Sequence, residues 1–225
     1  MNILITGVSK GIGNALLNHF LNLPSVNKVF AVSTKSDGGF QHPKMVWITA
    51  DFTQDDYLFA IQSAVDSLPI HILINNAGYL KHLPFEEITP QVYNNTMDIN
   101  FKAPFFLIQS LLPNLIASKA HIINIGSMGG FQGSSKFKGL SIYSASKAAI
   151  TNLTECLANE LGIYGIKVNC FALGAVNTEM LRLAFPNYQS PTQPNQVAKI
   201  IADFALNWGD CISGQIIPLT YANPT

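Results

Sequence analysis

Short runs that are apolar on both faces recur along this chain, and almost every one is followed by a stretch with helical spacing. The runs are residues 2–6 (NILIT), 28–33 (KVFAVS), 45–49 (MVWIT), 70–74 (IHILI), 121–125 (HIINI), 167–171 (KVNCF) and 215–219 (QIIPL). Each is long enough for one buried strand and too short for a buried helix. Residues 14–23, 54–68, 90–118, 143–162 and 195–208 carry the helical spacing between them. Pro24 and Pro69 close the first two, and Pro104 is expected to bend the third, because proline removes a backbone donor. A strand that is apolar on both faces must be covered on both. The expected fold class is therefore α/β, a doubly wound parallel seven-stranded sheet with helices on both faces, in one domain over residues 1–225.

Charge narrows the function classes. Thirteen basic and thirteen acidic side chains cancel, and charged residues are 12% of the chain against ~25% in ordinary soluble domains. No global field draws in nucleic acid or an anionic membrane, and neither is expected as a partner. Cys156, Cys170 and Cys211 form no CxxC, and His19, His42, His71, His82 and His121 show no ligand spacing, so no metal is expected. No apolar run reaches the ~18 residues that span a bilayer. MNILITGVSKGIG reads as a strand entering a turn rather than as a leader, and a cytoplasmic location is expected.

That turn is Thr6-Gly7-Val8-Ser9-Lys10-Gly11-Ile12-Gly13. Placed between a strand and a helix, Gly7, Gly11 and Gly13 let the backbone approach a pyrophosphate at the helix N-terminus, with Ser9, Lys10 and Ile12 between them. The spacing is G-x-x-x-G-x-G, not G-x-G-x-x-G. Where NAD-binding units often carry a ribose-binding carboxylate, this chain has Ser33, Thr34 and Lys35, and its first acid is Asp37. NADP is favoured over NAD, since Lys10 or Lys35 could each give a 2′-phosphate a charge-assisted hydrogen bond of roughly 1.5–3 kcal/mol. Both lysines also read as ordinary solvated charges.

Tyr143 and Lys147 stand four residues apart, on one helix face. An ammonium ~4 Å from a phenol contributes ~4 kcal/mol at an effective dielectric of ~20, so it would lower a tyrosine pKa of ~10 by about three units. Such a pair exchanges protons near neutral pH. Ser127 and the run Asn75-Asn76-Ala77-Gly78 follow apolar strands, at the sheet edge where ligands of such folds bind. Asn100 is an awkward helix-interior residue without a specific partner.

In this order, TGVSKGIG, Asp51, NNAG, Asn100, Ser127 and YSASK resemble the short-chain dehydrogenase/reductase family along essentially the whole chain. The resemblance implies hydride transfer between NADP(H) and a small carbonyl or alcohol substrate. Tyr143 would be the general acid/base, Lys147 its partner, Ser127 a hydrogen bond to the substrate oxygen, and Asn100 the holder of a proton-relaying water. Asp51, with Phe52 beside it, would face adenine. Asn76, Ala77 and Gly78 would line the cofactor cleft, and Gly174, Val176 and Thr178 would meet the nicotinamide end. Leu173 replaces the family's usual proline, and the loop 128–142 is longer than usual. Segment 179–194 is short for a lid, which predicts an open cleft.

Alternatives on the same fold are an isomerase or lyase using bound cofactor, and a cofactor-binding signalling or scaffold protein with little turnover. Tyr79, Leu80, Phe131, Phe137, Leu181 and Phe185 are candidates for an apolar substrate wall or for packing. On the Tyr143 helix, Ile150, Leu153, Leu157 and Leu161 are expected to face the sheet. Ala145, Ala149, Asn152 and Cys156 form a second stripe, small and uncharged, that suits a homodimer or homotetramer.

Overall fold

In the computed structural model, which describes residues 1–37 and 39–221, the apolar runs assemble into one seven-stranded sheet. The strands are β1 (Asn2–Thr6), β2 (Lys28–Ser33), β3 (Met45–Thr49), β4 (Ile72–Asn75), β5 (His121–Ser127), β6 (Lys167–Leu173) and β7 (Ile216–Leu219). All pairs are parallel, in the order β3-β2-β1-β4-β5-β6-β7. The chain winds outward from β1 in one direction, then returns to β4 and winds in the other. The reversal leaves a crevice outside the carboxyl ends of β1 and β4, where ligands bind in such sheets.

The two-residue period of each strand divides its apolar side chains between two cores. Ile3, Ile5, Ile72, Ile74, Ile123 and Ile125 face α1 (Gly11–Leu21) and α8 (Pro194–Asn207), meeting Leu16, Leu17, Phe20, Val197 and Ile201. Leu4, Phe30, Leu73, Ile122 and Val168 face the other way. They pack on α2 (Tyr57–Val65), α4 (Ala103–Ser110) and α5 (Leu112–Ile116) through Ile61, Leu107, Ile108 and Leu115.

Three differences from the sequence expectation matter for the site. The stretch 90–118 is not one bent helix. It divides into α3 (Pro90–Met97), a π-helical turn Asp98–Lys102, α4 and α5. Pro104 lies in the first turn of α4 and cannot donate to the carbonyl of Asn100, four residues back. With leucine at 173, β6 continues to Leu173 and pairs it with Ser127 on β5. Finally, α6 (Ser141–Leu161) faces the core through Ile150, Leu157 and Leu161 as expected, but not through Leu153, and it adds polar residues to that face. Its buried residues are Ser146, Lys147, Ile150, Thr154 and Leu161, while Leu153 and Leu157 are only half-buried. The helix meets the sheet through polar groups: Asn124 donates to Thr154 Oγ1 at 3.0 Å and Asn75 donates to Asn124 Oδ1 at 2.8 Å.

Candidate active site

A cleft of about 450 Å³ opens at the carboxyl ends of β1, β4, β5 and β6. It brings together every residue singled out from the sequence as a site residue except Lys35 and Asn100. Lys35 is exposed on the β2–β3 connection, and its carbonyl accepts from Trp47 Nε1 at 2.9 Å. Asn100 is buried behind the cleft wall.

The glycine turn forms the floor at one end. Gly7 has φ +74°, and a Cβ there would lie 2.7 Å from Ala77 Cα, so the turn and the end of β4 require glycine to approach this closely. Gly13 serves packing more than ligand access, because its Cβ would collide with the Gly7 carbonyl oxygen and the Asn76 amide. Asn76 is a staple whose role the sequence did not disclose. Its side chain donates to the carbonyls of Thr6 (2.9 Å) and Gly7 (3.1 Å), while Thr6 Oγ1 accepts from the N–H groups of Asn76 and Ala77. Beyond the turn, α1 begins at Gly11 with no side-chain cap on its first N–H groups. Those donors and the positive end of the helix dipole fit a pyrophosphate. Ser33, Thr34, Asp51 and Phe52 form the far wall, where Asp51 Oδ1 accepts from the backbone and hydroxyl of Thr53.

At the other end stand Ser127, Tyr143 and Lys147. The expected lowering of the Tyr143 pKa by Lys147 is not what the geometry delivers. The Lys147 ammonium lies 5.9 Å from the centre of the Tyr143 ring and donates instead to the Ile125 carbonyl at 2.7 Å. Burial pushes the Tyr143 phenol above its ordinary value, and a hydrogen bond with Ser127 opposes this. Burial also lowers Lys147 to about 8, with the neighbouring Cys170 thiol acting the other way. Tyr143 is a protonated acid at neutral pH, and Lys147 is charged but close to its titration.

Asn100 is also redirected. Its Oδ1 accepts from Tyr79 N–H at 2.7 Å, and its Nδ2 donates to the Tyr79 carbonyl and to Ser146 Oγ, both at 2.9 Å. Both amide hydrogens are engaged, so the side chain pins the loop at Tyr79 to α6.

The segment expected to leave the cleft open contains α7 (Glu179–Ala184), a helix the sequence reading missed, and two contacts at its ends join it to other residues of the cleft. Thr178 caps it, accepting from Leu181 N–H at 3.2 Å. At its start Glu179 pairs with Lys10 across the cleft at 2.8 Å. Just past its end, Phe185 meets Phe137 edge to face, with ring centres 5.1 Å apart. Tyr79, Leu80, Phe137, Leu181 and Phe185 line the cleft as anticipated, Phe131 does not, and Met180 and Leu140 join them.

Comparison with known proteins agrees with this geometry. The family model for short chain dehydrogenases matches residues 1–189. L-fucose dehydrogenase of Rattus norvegicus is 33% identical over 79% of this chain and 67% of its own length. Gluconate 5-dehydrogenase of Gluconobacter oxydans is 33% identical over 79% of this chain and 72% of its own. Among solved structures, 4-hydroxyisoleucine dehydrogenase complexed with NADH superposes with a TM-score of 0.85 at 24% identity, covering 97% of this chain and 96% of that one. ElxO with NADP bound gives 0.82 at 24% identity, covering 96% of each. These two speak for the fold. The apolar strands, the glycine turn and the Ser127–Tyr143–Lys147 corner are thus those of a chain that belongs to the short-chain dehydrogenase/reductase family of oxidoreductases.

Proposed function

We propose that this protein is an NADP(H)-dependent carbonyl reductase or alcohol dehydrogenase acting on a small, partly apolar substrate. The observation that carries this reading is the convergence of Ser127, Tyr143 and Lys147 on one end of a cleft whose other end is the glycine turn and the uncapped start of α1. Bound there, the dinucleotide would supply the hydride for carbonyl reduction, or take it up in alcohol oxidation. The chain's own part is to hold and protonate the oxygen. Ser127 Oγ orients it, and Tyr143, kept protonated by burial, donates the proton as the oxygen becomes an alkoxide. Lys147, held by the Ile125 carbonyl, keeps a positive charge behind the phenol and steadies the anion left after transfer.

Support for NADP(H) comes from the end of β2, where Ser33 and Thr34 stand in place of a carboxylate, and from Lys10 at the cleft mouth; the wall's one acid, Asp51, lies past the end of β3. The apolar wall of Tyr79, Leu80, Met180 and Phe185 suits a carbonyl carried on an apolar body. Three free cysteines are in keeping with a reducing compartment such as the cytoplasm. Among the described residues no helix is long and apolar enough to cross a membrane. A screen of aldehydes, ketones and oxidised sugars by NADPH consumption tests the function. Turnover of at least one class is expected; binding without consumption across the panel would leave a non-catalytic cofactor binder.

The reading includes a homodimer or homotetramer in which α6 and the 90–118 stretch pack on their counterparts, and the outer face of α6 supports it. Ala145 and Cys156 are exposed, Ala149 is half-buried, and half-buried Leu153 extends the apolar surface beside them. Ala149→Arg should give a monomer by light scattering, whereas a monomeric parent at micromolar concentration would sink the interface.

A further inference from the structure

One ion pair in the cleft has no part in the reaction proposed above. Lys10 stands at the N-cap of α1 and Glu179 opens α7, and their side chains meet at 2.8 Å between the two walls. The approach is local as well as ionic, since a Cβ on Gly11 would lie 3.4 Å from Thr178 Cγ2. Each side chain is 55% exposed, so the pair is reachable from solvent and open to exchange of partners. The Glu179 carboxylate is held below its usual range, first by Lys10 and more weakly by Lys35 and Arg182. An anion placed here is therefore welcome, and the chain has supplied its own.

That carboxylate bears on cofactor choice, because Lys10 is a cation at the mouth of the cleft and the end of β2, at Ser33 and Thr34, carries no acid. A 2′-phosphate and a carboxylate compete for one ammonium in the same way, by charge-assisted hydrogen bonds. We propose that Glu179 is a built-in competitor for the 2′-phosphate of NADP(H), occupying Lys10 until the phosphate displaces it, and so sets how strongly this chain prefers NADP(H) to NAD(H). The inference rests on the nicotinamide-dinucleotide reading of the cleft. NAD(H) has no group that needs Lys10 and leaves the pair intact. NADP(H) must break it. Glu179 thus narrows a preference that Lys10 alone would make wide.

The test is a set of dissociation constants, measured by nucleotide fluorescence at low salt for NADPH and NADH. The proteins are the parent, Glu179→Gln, Lys10→Ala and the double variant. Both dinucleotides lose the same carboxylate near their pyrophosphate, so the NADH-to-NADPH ratio isolates the 2′-phosphate. Glu179→Gln should widen that ratio by about two- to fivefold, the scale of a released surface ion pair, and the widening should shrink as salt is added. In the Lys10→Ala background the same substitution should leave the ratio unchanged. A ratio unmoved by Glu179→Gln, or moved equally without Lys10, overturns the proposal. A parent that binds neither dinucleotide overturns instead the cofactor reading beneath it.

Discussion

At the amino end of β5, His121 is buried and fully partnered. Its Nδ1–H donates to the Ala205 carbonyl at 3.2 Å, and Nε2 accepts from Asn169 at 2.9 Å. Asn169 is itself satisfied, giving a second bond to the Ile212 carbonyl and accepting from Gln215 N–H. At the carboxyl end, Lys147 is buried as deeply. Among the described residues, however, its ammonium makes one hydrogen bond, to the Ile125 carbonyl. Ser127, Tyr143 and the first turn of α1 likewise keep hydrogen-bonding capacity facing the cleft. One end of the strand closes every polar group on the protein, and this secures the fold. The other leaves groups in low dielectric with room for a ligand, and that room is where chemistry can occur.

The contrast breaks most visibly at Tyr143. Tyr143→Phe should lower turnover by ~10²–10⁴-fold, the scale of a positioned acid. Dinucleotide affinity and the unfolding midpoint should stay near the parent's. Near-normal turnover in the steady state would remove Tyr143 from the mechanism.

At the closed end the expected effect is on acid stability. Burial lowers His121 to about 4, below the 6.5 expected when unfolded. Between those values the unfolded state binds a proton the folded state refuses. Stability is thus complete above pH 6.5 and falls as pH drops towards 4, by about 3 kcal/mol from this group. Denaturant titrations across pH should show the fall in the parent and a flatter profile in His121→Phe. Equal slopes would mean that His121 charges without penalty.

A smaller effect of opposite sense is expected at Lys147. Its folded value of about 8 lies below the 10.5 of a free lysine, so at pH 7 the fold carries a buried charge at a cost. Lys147→Met should abolish turnover yet raise stability at pH 7 by about 1 kcal/mol, since relief of the charge outweighs the orphaned Ile125 carbonyl. Above pH 8 the parent recovers stability by deprotonating in the folded state, and the advantage should shrink by pH 10. A destabilised variant at pH 7 would show that the carboxyl end is as settled as the amino end.

How much of this could be read from the sequence depended on whether the cause was local. The strands were legible because residues such as Ile3, Leu4 and Ile5 are apolar on both faces, which only a covered sheet allows. The glycine turn and the Tyr143–Lys147 pair were legible because each is set by spacing within one element. The polar face of α6 was not, because a helix is read by its apolar stripe, and Thr154 and Ser146 face inward only for the sake of Asn124 and Asn100. Nor was the Lys10–Glu179 pair, whose partners are remote in the chain and meet only when α7 folds over the cleft. The protonation of Tyr143 was misjudged for the same reason: burial is a tertiary quantity, and so is the turning of the Lys147 ammonium to the Ile125 carbonyl.

The π-helical turn at Asp98–Lys102 makes chain length, beside the identity of Asn100, a sensitive variable in this part of the molecule. A turn of this width absorbs about one residue more than an α-turn, which resets the phase of everything after it by roughly 100°. That reset lets Asn100 point at Tyr79 and Ser146 while Leu107 and Ile108 still point at the sheet. Exposed Lys102 can be exchanged for many residues without disturbing either contact. The loss of any one residue from the five would force a choice between them, so a deletion anywhere in this stretch reaches as far as the loss of Asn100 itself.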